Sequence, residues 1–83
     1  LFSPYPNPFN TMNTIRFSVG TRHATSLRVY DITGRMVEML VNKKLTAGEH
    51  KIVWNADEYA SGVYFLKLMN GQFQTTQKLI LLK

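Results

Sequence analysis

The 83-residue sequence has no cysteine. Disulfides, thiolate nucleophiles and every cysteine-based metal site are therefore excluded. Histidine is almost as scarce: His23 and His50 alone cannot build a His-rich metal site. There are five acidic residues, Asp31, Glu38, Glu49, Asp57 and Glu58. Asp31 precedes a glycine-containing turn and reads as a turn residue. Asp57 and Glu58 share a loop, but Asn-Ala-Asp-Glu-Tyr lacks the regular oxygen spacing of a calcium loop. Neither histidine has a serine or aspartate partner at a recognisable spacing, and no G-x-S-x-G elbow or phosphate-cradling glycine loop occurs. These absences leave no expected catalytic residue, no metal site and no cofactor. No apolar run approaches the roughly 18 residues of a membrane-spanning helix, so direct membrane insertion is not expected. The start, Leu1-Phe2-Ser3-Pro4, carries neither a basic segment nor an apolar leader. The chain is expected to be the C-terminal piece of a larger exported protein.

What is present is a foldable composition. Hydrophobic residues make up 45% of the chain, with five Phe, four Tyr and one Trp, which argues against disorder. At this length one small domain is expected, burying about 60% of the surface its unfolded chain exposes. The formal charge is +5. The cations are scattered along the chain, and the longest run is the pair Lys43-Lys44. A nucleic-acid module concentrates its charge on one face or helix, so the scatter is read as a solvated surface and no nucleic-acid partner is expected.

All three prolines fall in Leu1-Phe2-Ser3-Pro4-Tyr5-Pro6-Asn7-Pro8-Phe9-Asn10. Proline lacks a backbone donor and restricts its predecessor, so residues 1–13 read as an extended lead-in, with 14–83 as the sandwich core. From Thr14 the hydrophobic period is two. Ile15, Phe17 and Val19 form one strand face, and Leu27 with Val29 forms another. Asp31-Ile32-Thr33-Gly34 is a turn. Met36, Val37, Met39, Leu40 and Val41 fit neither face cleanly, which predicts a bulged strand or one covered on both sides, with a short helix as the competing reading. Residues 42–48 read as a polar loop. His50, Ile52 and Trp54 share a strand face, and His50 there is expected to be a hydrogen-bonded sheet residue. Residues 55–61 read as a crossover with room for one helical turn. After Gly62, Tyr64, Leu66 and Leu68 are expected inside and Val63, Phe65 and Lys67 outside. Asn70-Gly71 is a hairpin signal, and a last strand follows.

Six strands with turns between them, and a seventh in the lead-in, predict an all-β, Ig-like antiparallel sandwich. Trp54 is expected as its core anchor. No aromatic platform marks a sugar-binding surface, although Phe65 and Phe73 are placed on outward faces and Tyr5, Phe9 and Tyr59 in loops. One feature is left over: Leu79-Ile80-Leu81-Leu82 is continuously apolar on the last strand. A central place in the sheet would explain it structurally, and partner docking would explain it functionally.

An ordered set of motifs points to a family. Tyr5-Pro6-Asn7-Pro8-Phe9-Asn10 opens it, although such domains often continue with proline where this chain has Thr11. Val29-Tyr30-Asp31-x-x-Gly34-Arg35, Ala47-Gly48-Glu49-His50 before Trp54, and Ser61-Gly62-Val63-Tyr64 follow, and Lys78-Leu79-Ile80-Leu81-Leu82-Lys83 closes it. Over Ser3 to Lys83 the chain closely resembles the type A C-terminal sorting domain of the type IX (Por) secretion system. The resemblance implies a seven-stranded Ig-like domain that is a non-catalytic address. It directs an upstream cargo across the periplasm and through the outer-membrane translocon to the cell surface, where a sortase commonly removes the domain and links the cargo to anionic lipopolysaccharide. The residues implied in recognition are Pro6, Asn7, Pro8, Gly62, Tyr64, Lys78, Leu79, Ile80, Leu81, Leu82 and Lys83. The translocon, the sortase and the cargo are the implied partners. Two alternatives stand beside it: an Ig-like scaffold module similar to that of flagellar hook-capping proteins, and a carbohydrate-binding sandwich.

Overall fold

The computed structural model describes residues 11–20 and 24–83. Alternation of apolar and polar side chains decides the architecture. In β1 (Met12–Val19), Ile15, Phe17 and Val19 are buried while Arg16 and Ser18 are exposed. In β2 (Ala24–Tyr30), Leu27 and Val29 are buried. β3 (Met36–Lys44) is irregular, β4 (Gly48–Asn55) buries Trp54, and β5 (Gly62–Asn70) buries Tyr64, Leu66 and Leu68. β6 (Phe73–Leu81) buries Leu79 and Leu81. β1 and β4 form a two-stranded sheet. The other four strands form a second sheet in the order β3-β2-β5-β6, and every pairing is antiparallel.

The inner faces of both sheets close on one core. Ile15, Phe17, Val19, Trp54 and Ala56 come from the β1–β4 side, and Leu27, Val29, Leu66, Leu68, Leu79 and Leu81 come from the other. Each fully buried large aliphatic side chain contributes about 1.5–3 kcal/mol relative to exposure, so this cluster is the main stabilising term. The all-β antiparallel sandwich expected from the sequence is present, with six strands among the described residues. The expected seventh falls on the lead-in, where residues 1–10, with Pro6, Asn7 and Pro8, lie outside the described residues.

β3 is bulged, as its mixed pattern suggested. Its register against β2 shifts between Leu27 and Arg28 and again between Val29 and Tyr30. Val37 and Leu40 therefore fall between paired positions and lean against the core. Met36 and Met39, three apart, both reach the outer face opposite Tyr30 and Arg28. Glu38 and Val41 pair with the inward residues Val29 and Leu27. Two readings need correction. β3 runs on through Lys44, which shortens the expected 42–48 loop to residues 45–47, because Asn42, Lys43 and Lys44 continue the ladder opposite Ser26, Thr25 and Ala24. The 55–61 crossover contains a turn, closed by Tyr59 N–H donating to the Ala56 carbonyl at 3.0 Å, and no helix.

The connections place the strand ends. Tyr30, Met36, Asn55, Gly62 and Leu81 lie toward one end of the sandwich, together with Met12, where the lead-in joins. The 31–35 turn, the 56–61 crossover and residues 82–83 cap that end. The opposite end carries the 45–47 and 71–72 turns and the β1–β2 connection. At the 71–72 turn, Asn70 pairs with Phe73, and Gly71 alone has positive φ, 60°. The two central residues are thus Gly71-Gln72, the arrangement of a type II′ hairpin with glycine first. Asn70 lies just outside the turn, and its amide donates to Thr25 Oγ1 at 2.7 Å.

Candidate functional site

Two of the motifs singled out in the sequence are parts of one hairpin. Gly62 pairs with Leu81, Val63 with Ile80, Tyr64 with Leu79 and Phe65 with Lys78. Residues 13 to 19 positions apart in the chain thus become ladder partners because the Gly71 turn folds β6 back on β5. Gly62 has φ of 154°, and the space around a would-be Cβ is open. Its requirement for glycine is one of backbone conformation rather than of contact. Tyr64 follows two positions later, so it points inward. Its ring is buried, and its hydroxyl donates to the Ala60 carbonyl at 2.6 Å. That bond ties the strand to the crossover before it, the same device as the tyrosine corner of Ig domains.

The terminal run separates by parity. Leu79 and Leu81 are fully buried against Tyr64 and the core, Ile80 is half-buried on the outer face, and Leu82 is 57% exposed. Among the described strands β6 neighbours β5 alone, at the end of the order β3-β2-β5-β6. Lys78 and Ile80 each have a further interaction of their own. Lys83 is also tethered. Its backbone N–H donates to Ser61 Oγ at 3.0 Å, and its ammonium donates to the Asp57 carbonyl. The last residue thereby holds both flanks of the crossover.

The crossover is pinned from its other side by an aromatic cluster around Trp54 and by Glu38, whose role the sequence did not single out. Trp54, Tyr59 and Tyr64 form a ring triangle with centroid separations of 5.6, 5.7 and 6.2 Å. Such contacts add about 0.5–1.5 kcal/mol each beyond area burial. Glu38 Oε1 accepts from Trp54 Nε1 at 3.1 Å and from the Tyr59 hydroxyl at 2.9 Å, and the Val37 carbonyl lies 3.0 Å from that hydroxyl. One carboxylate on β3 thus joins β4, in the other sheet, to the crossover. Burial, and then the Glu38 carboxylate, push the Tyr59 phenol up to about 12. Tyr59 was read as a loop aromatic, and it is in a loop. Its inward role is missed because loop residues carry no periodicity. A signal for Glu38 did exist: it is the one charge inside Met36–Val41.

At the same end, Asp31 Oδ1 accepts from the Thr33 hydroxyl at 2.6 Å and from the backbone N–H groups of Thr33 and Arg35 at 2.9 and 3.1 Å. The Thr33 hydroxyl above all holds this carboxyl below the usual range. Gly34 N–H donates to the Asp31 carbonyl and has φ of 88°, which makes the segment a tight turn ending in a left-handed glycine. Where the lead-in joins, Ala56 N–H donates to the Thr11 carbonyl at 2.7 Å. The Asp31–Arg35 turn, the Gly62–Tyr64 step and the Lys78–Lys83 segment therefore gather at one end, beside the point where the chain enters the sandwich.

His50 is a structural residue. Its Nε2 lies 2.8 Å from the Thr46 carbonyl, which can only accept, so this nitrogen carries the proton. The ring stacks on Phe17 at 5.6 Å. Among the described residues no three His, Asp or Glu side chains converge on a point where a metal ion would bind. The Gly62–Lys83 region is held by the β5–β6 ladder and by hydrogen bonds to the crossover.

No curated protein and no solved structure matches the chain. The family model described as the secretion system C-terminal sorting domain matches residues 3–82, nearly the whole length. Three of its five motifs, the Asp31–Arg35 turn, the Gly62–Tyr64 step and the Lys78–Lys83 segment, meet at one end of an antiparallel sandwich, and the chain belongs to the C-terminal sorting domain family of the type IX secretion system.

Proposed function

We propose that the domain directs an upstream cargo through the outer-membrane translocon to the cell surface, where a sortase removes it. The address is the β5–β6 hairpin end: Gly62, Tyr64 and Lys78, Leu79, Ile80, Leu81, Leu82 and Lys83. Pro6, Asn7 and Pro8, from the lead-in, complete it. The observation that carries this reading is the register Gly62↔Leu81 and Tyr64↔Leu79, which makes two separate motifs one local surface. Within it the residues divide the work. Gly62, Tyr64, Leu79 and Leu81 fix the shape, since the first sets the backbone and the others are buried. Lys78, Leu82 and Lys83 are the exposed groups a partner would touch. The domain itself acts as substrate and ligand, without catalysis.

The test is export of a reporter placed upstream of Leu1, behind a signal peptide, in a host that has the type IX system and in one that lacks the translocon. The reporter should reach the surface or medium only in the first host. Removing residues 82–83 keeps the Leu79 and Leu81 side chains in the core and should leave folded reporter in the periplasm. Equal export in both hosts would end the address reading.

A further inference from the structure

We propose that the outer face of the four-stranded sheet, centred on Arg28 and Lys67, is a docking surface for an acidic, apolar-flanked segment of another protein. Register places Arg28 directly opposite Lys67 on β2 and β5, with Met39 beyond Arg28 on β3. One row toward the C-terminal end of the sandwich, Met36, Tyr30 and Phe65 lie side by side, and one row the other way are Asn42, Ser26 and Met69. Met36 and Met39 are 45% and 37% exposed. The two cations thus have a row of methionine and aromatic side chains on one side and a mostly polar row, Asn42 and Ser26 with Met69, on the other; methionine, aromatic residues and arginine are enriched at protein interfaces.

Two observations identify the missing partner as a carboxylate from outside the chain. The first is an orphan donor. Arg28 Nε is buried, yet among the described residues it has no hydrogen-bond partner. A buried donor left without an acceptor is costly; when the half-buried Arg28 side chain turns outward, a carboxylate can take its Nε–H and an Nη–H together. Beside it lies a shallow groove of about 230 Å³, lined in part by Ser26, Arg28, Asn42 and Met69, which has room for such a group and adds hydroxyl and amide donors. The second is charge. All five acidic residues lie elsewhere: Asp31 in its turn, Glu38 on the inner face against Trp54, Glu49 on β4, and Asp57 and Glu58 in the crossover. The ten lead-in residues contain no acid either. Within these 83 residues no acidic side chain is placed to neutralise this face.

The apolar row favours protein over a polyanion. A nucleic acid wants a continuous cationic track, and here methionine and aromatic rings interrupt the cations. A second copy docking face to face would bring Arg28 and Lys67 against themselves. Lys78, part of the proposed chain-end address, borders this face opposite Phe65, but Arg28 and Lys67 lie outside that address, and the inference does not rest on the export reading.

The test is an NMR titration of the full 83-residue chain with an acetylated, amidated hexapeptide of three glutamates and three leucines. The Arg28 Nε–H resonance, with amides of Ser26, Asn42 and Lys67, should shift and saturate, and the shifts should weaken with added salt. Arg28→Gln should weaken binding about tenfold, the scale of one lost hydrogen bond to a charged group. Lys67→Gln should weaken it less, and Lys51→Gln, on β4 of the other sheet, should leave it unchanged. A thermal melt of each variant separates lost binding from lost fold, and Lys67→Gln keeps the test open if Arg28→Gln unfolds. Shifts confined to other cations, equal binding of the glutamine-for-glutamate peptide, or a dimer forming through this face without peptide would overturn the proposal. Tighter binding to short single-stranded DNA or to phosphatidylglycerol vesicles than to the peptide would overturn it too.

Discussion

The two ends of the sandwich are closed differently. At the end holding Gly62 and Lys83, side chains do the closing: Glu38 bridges Trp54 and Tyr59, Tyr64 bonds Ala60, Asp31 caps its own turn, and Lys83 holds Ser61 and Asp57. At the far end the described bonds are fewer: His50 to Thr46, Asn70 to Thr25, and a long 3.5 Å contact from Gly71 N–H to the Ala24 carbonyl. Hairpins close themselves, and three-residue or two-residue turns need little help. A six-residue crossover between sheets has no ladder and must be tied down one side chain at a time. The polar density at one end thus follows from topology, and it also builds the rigid surface on which the motifs lie.

The largest effect should come from Trp54, where both sheets and the crossover meet. Trp54→Ala removes a fully buried ring and the Glu38 donor, and is expected to cost about 3–5 kcal/mol in a denaturant or thermal melt. Val53→Ala, next in sequence but 48% exposed, should cost within about 0.5 kcal/mol. If the two behaved alike, the interlock would be wrong.

Tyr64→Phe keeps the ring and deletes one hydrogen bond, leaving the Ala60 carbonyl to find water. About 1 kcal/mol is expected, with faster hydrogen exchange in the 56–61 crossover and none at the 71–72 turn. A uniform loss across both ends would contradict the local tie.

Tyr59 supplies a pH signature. Its folded phenol is raised from 10.0 to about 12, so the folded state holds the proton more tightly than the unfolded chain. That contribution is complete below pH 10 and is lost as pH rises toward 12. Chemical melts of the parent should therefore fall in stability across this window, and Tyr59→Phe should flatten the fall. An unchanged alkaline slope would remove Tyr59 from the clamp.

Asp31 should give the smallest and opposite dependence. Its folded carboxyl is held low, so its contribution is present above the usual carboxylate range and disappears as pH falls through the lowered value. Asp31→Ala should lower the melting temperature at neutral pH, with the difference closing in acid. A gap that stayed open in acid would mean the turn is not held by the ionised carboxyl.

The sequence made the strands legible wherever one face is wet. Ile15-Phe17-Val19 and Tyr64-Leu66-Leu68 alternate because water covers the other face, and both phases agree with the burial found. Boundaries were less visible. Asn42, Lys43 and Lys44 look like loop, because a polar stretch can extend an edge strand without burying anything. The place of β6 in the sheet was not visible, since parity says which way a residue faces and nothing about its strand's neighbours. The family's motifs could be read as a series, but their convergence could not. That Gly62 meets Leu81 is a matter of hairpin register, and that Lys83 reaches Ser61 depends on the crossover's path. Tyr59 and Glu38 were missed for the same reason: their partners are some 16 to 22 residues away.

The most direct test of the account sets the two ends against each other with equal changes of charge. Lys78→Ala with Lys83→Ala alters the hairpin end, and Lys43→Ala with Lys44→Ala alters the far part of β3. Both pairs remove two positive charges, and Lys83→Ala keeps the backbone bond to Ser61. Both variants should therefore stay folded, each losing no more than about 1 kcal/mol. Measured as the fraction of an upstream reporter reaching the surface or medium of a type IX-competent host, the first pair should block export and strand folded reporter in the periplasm, while the second exports like the parent. Equal export by both pairs, or a block by the Lys43 and Lys44 pair alone, would contradict the placement of the address at the C-terminal hairpin.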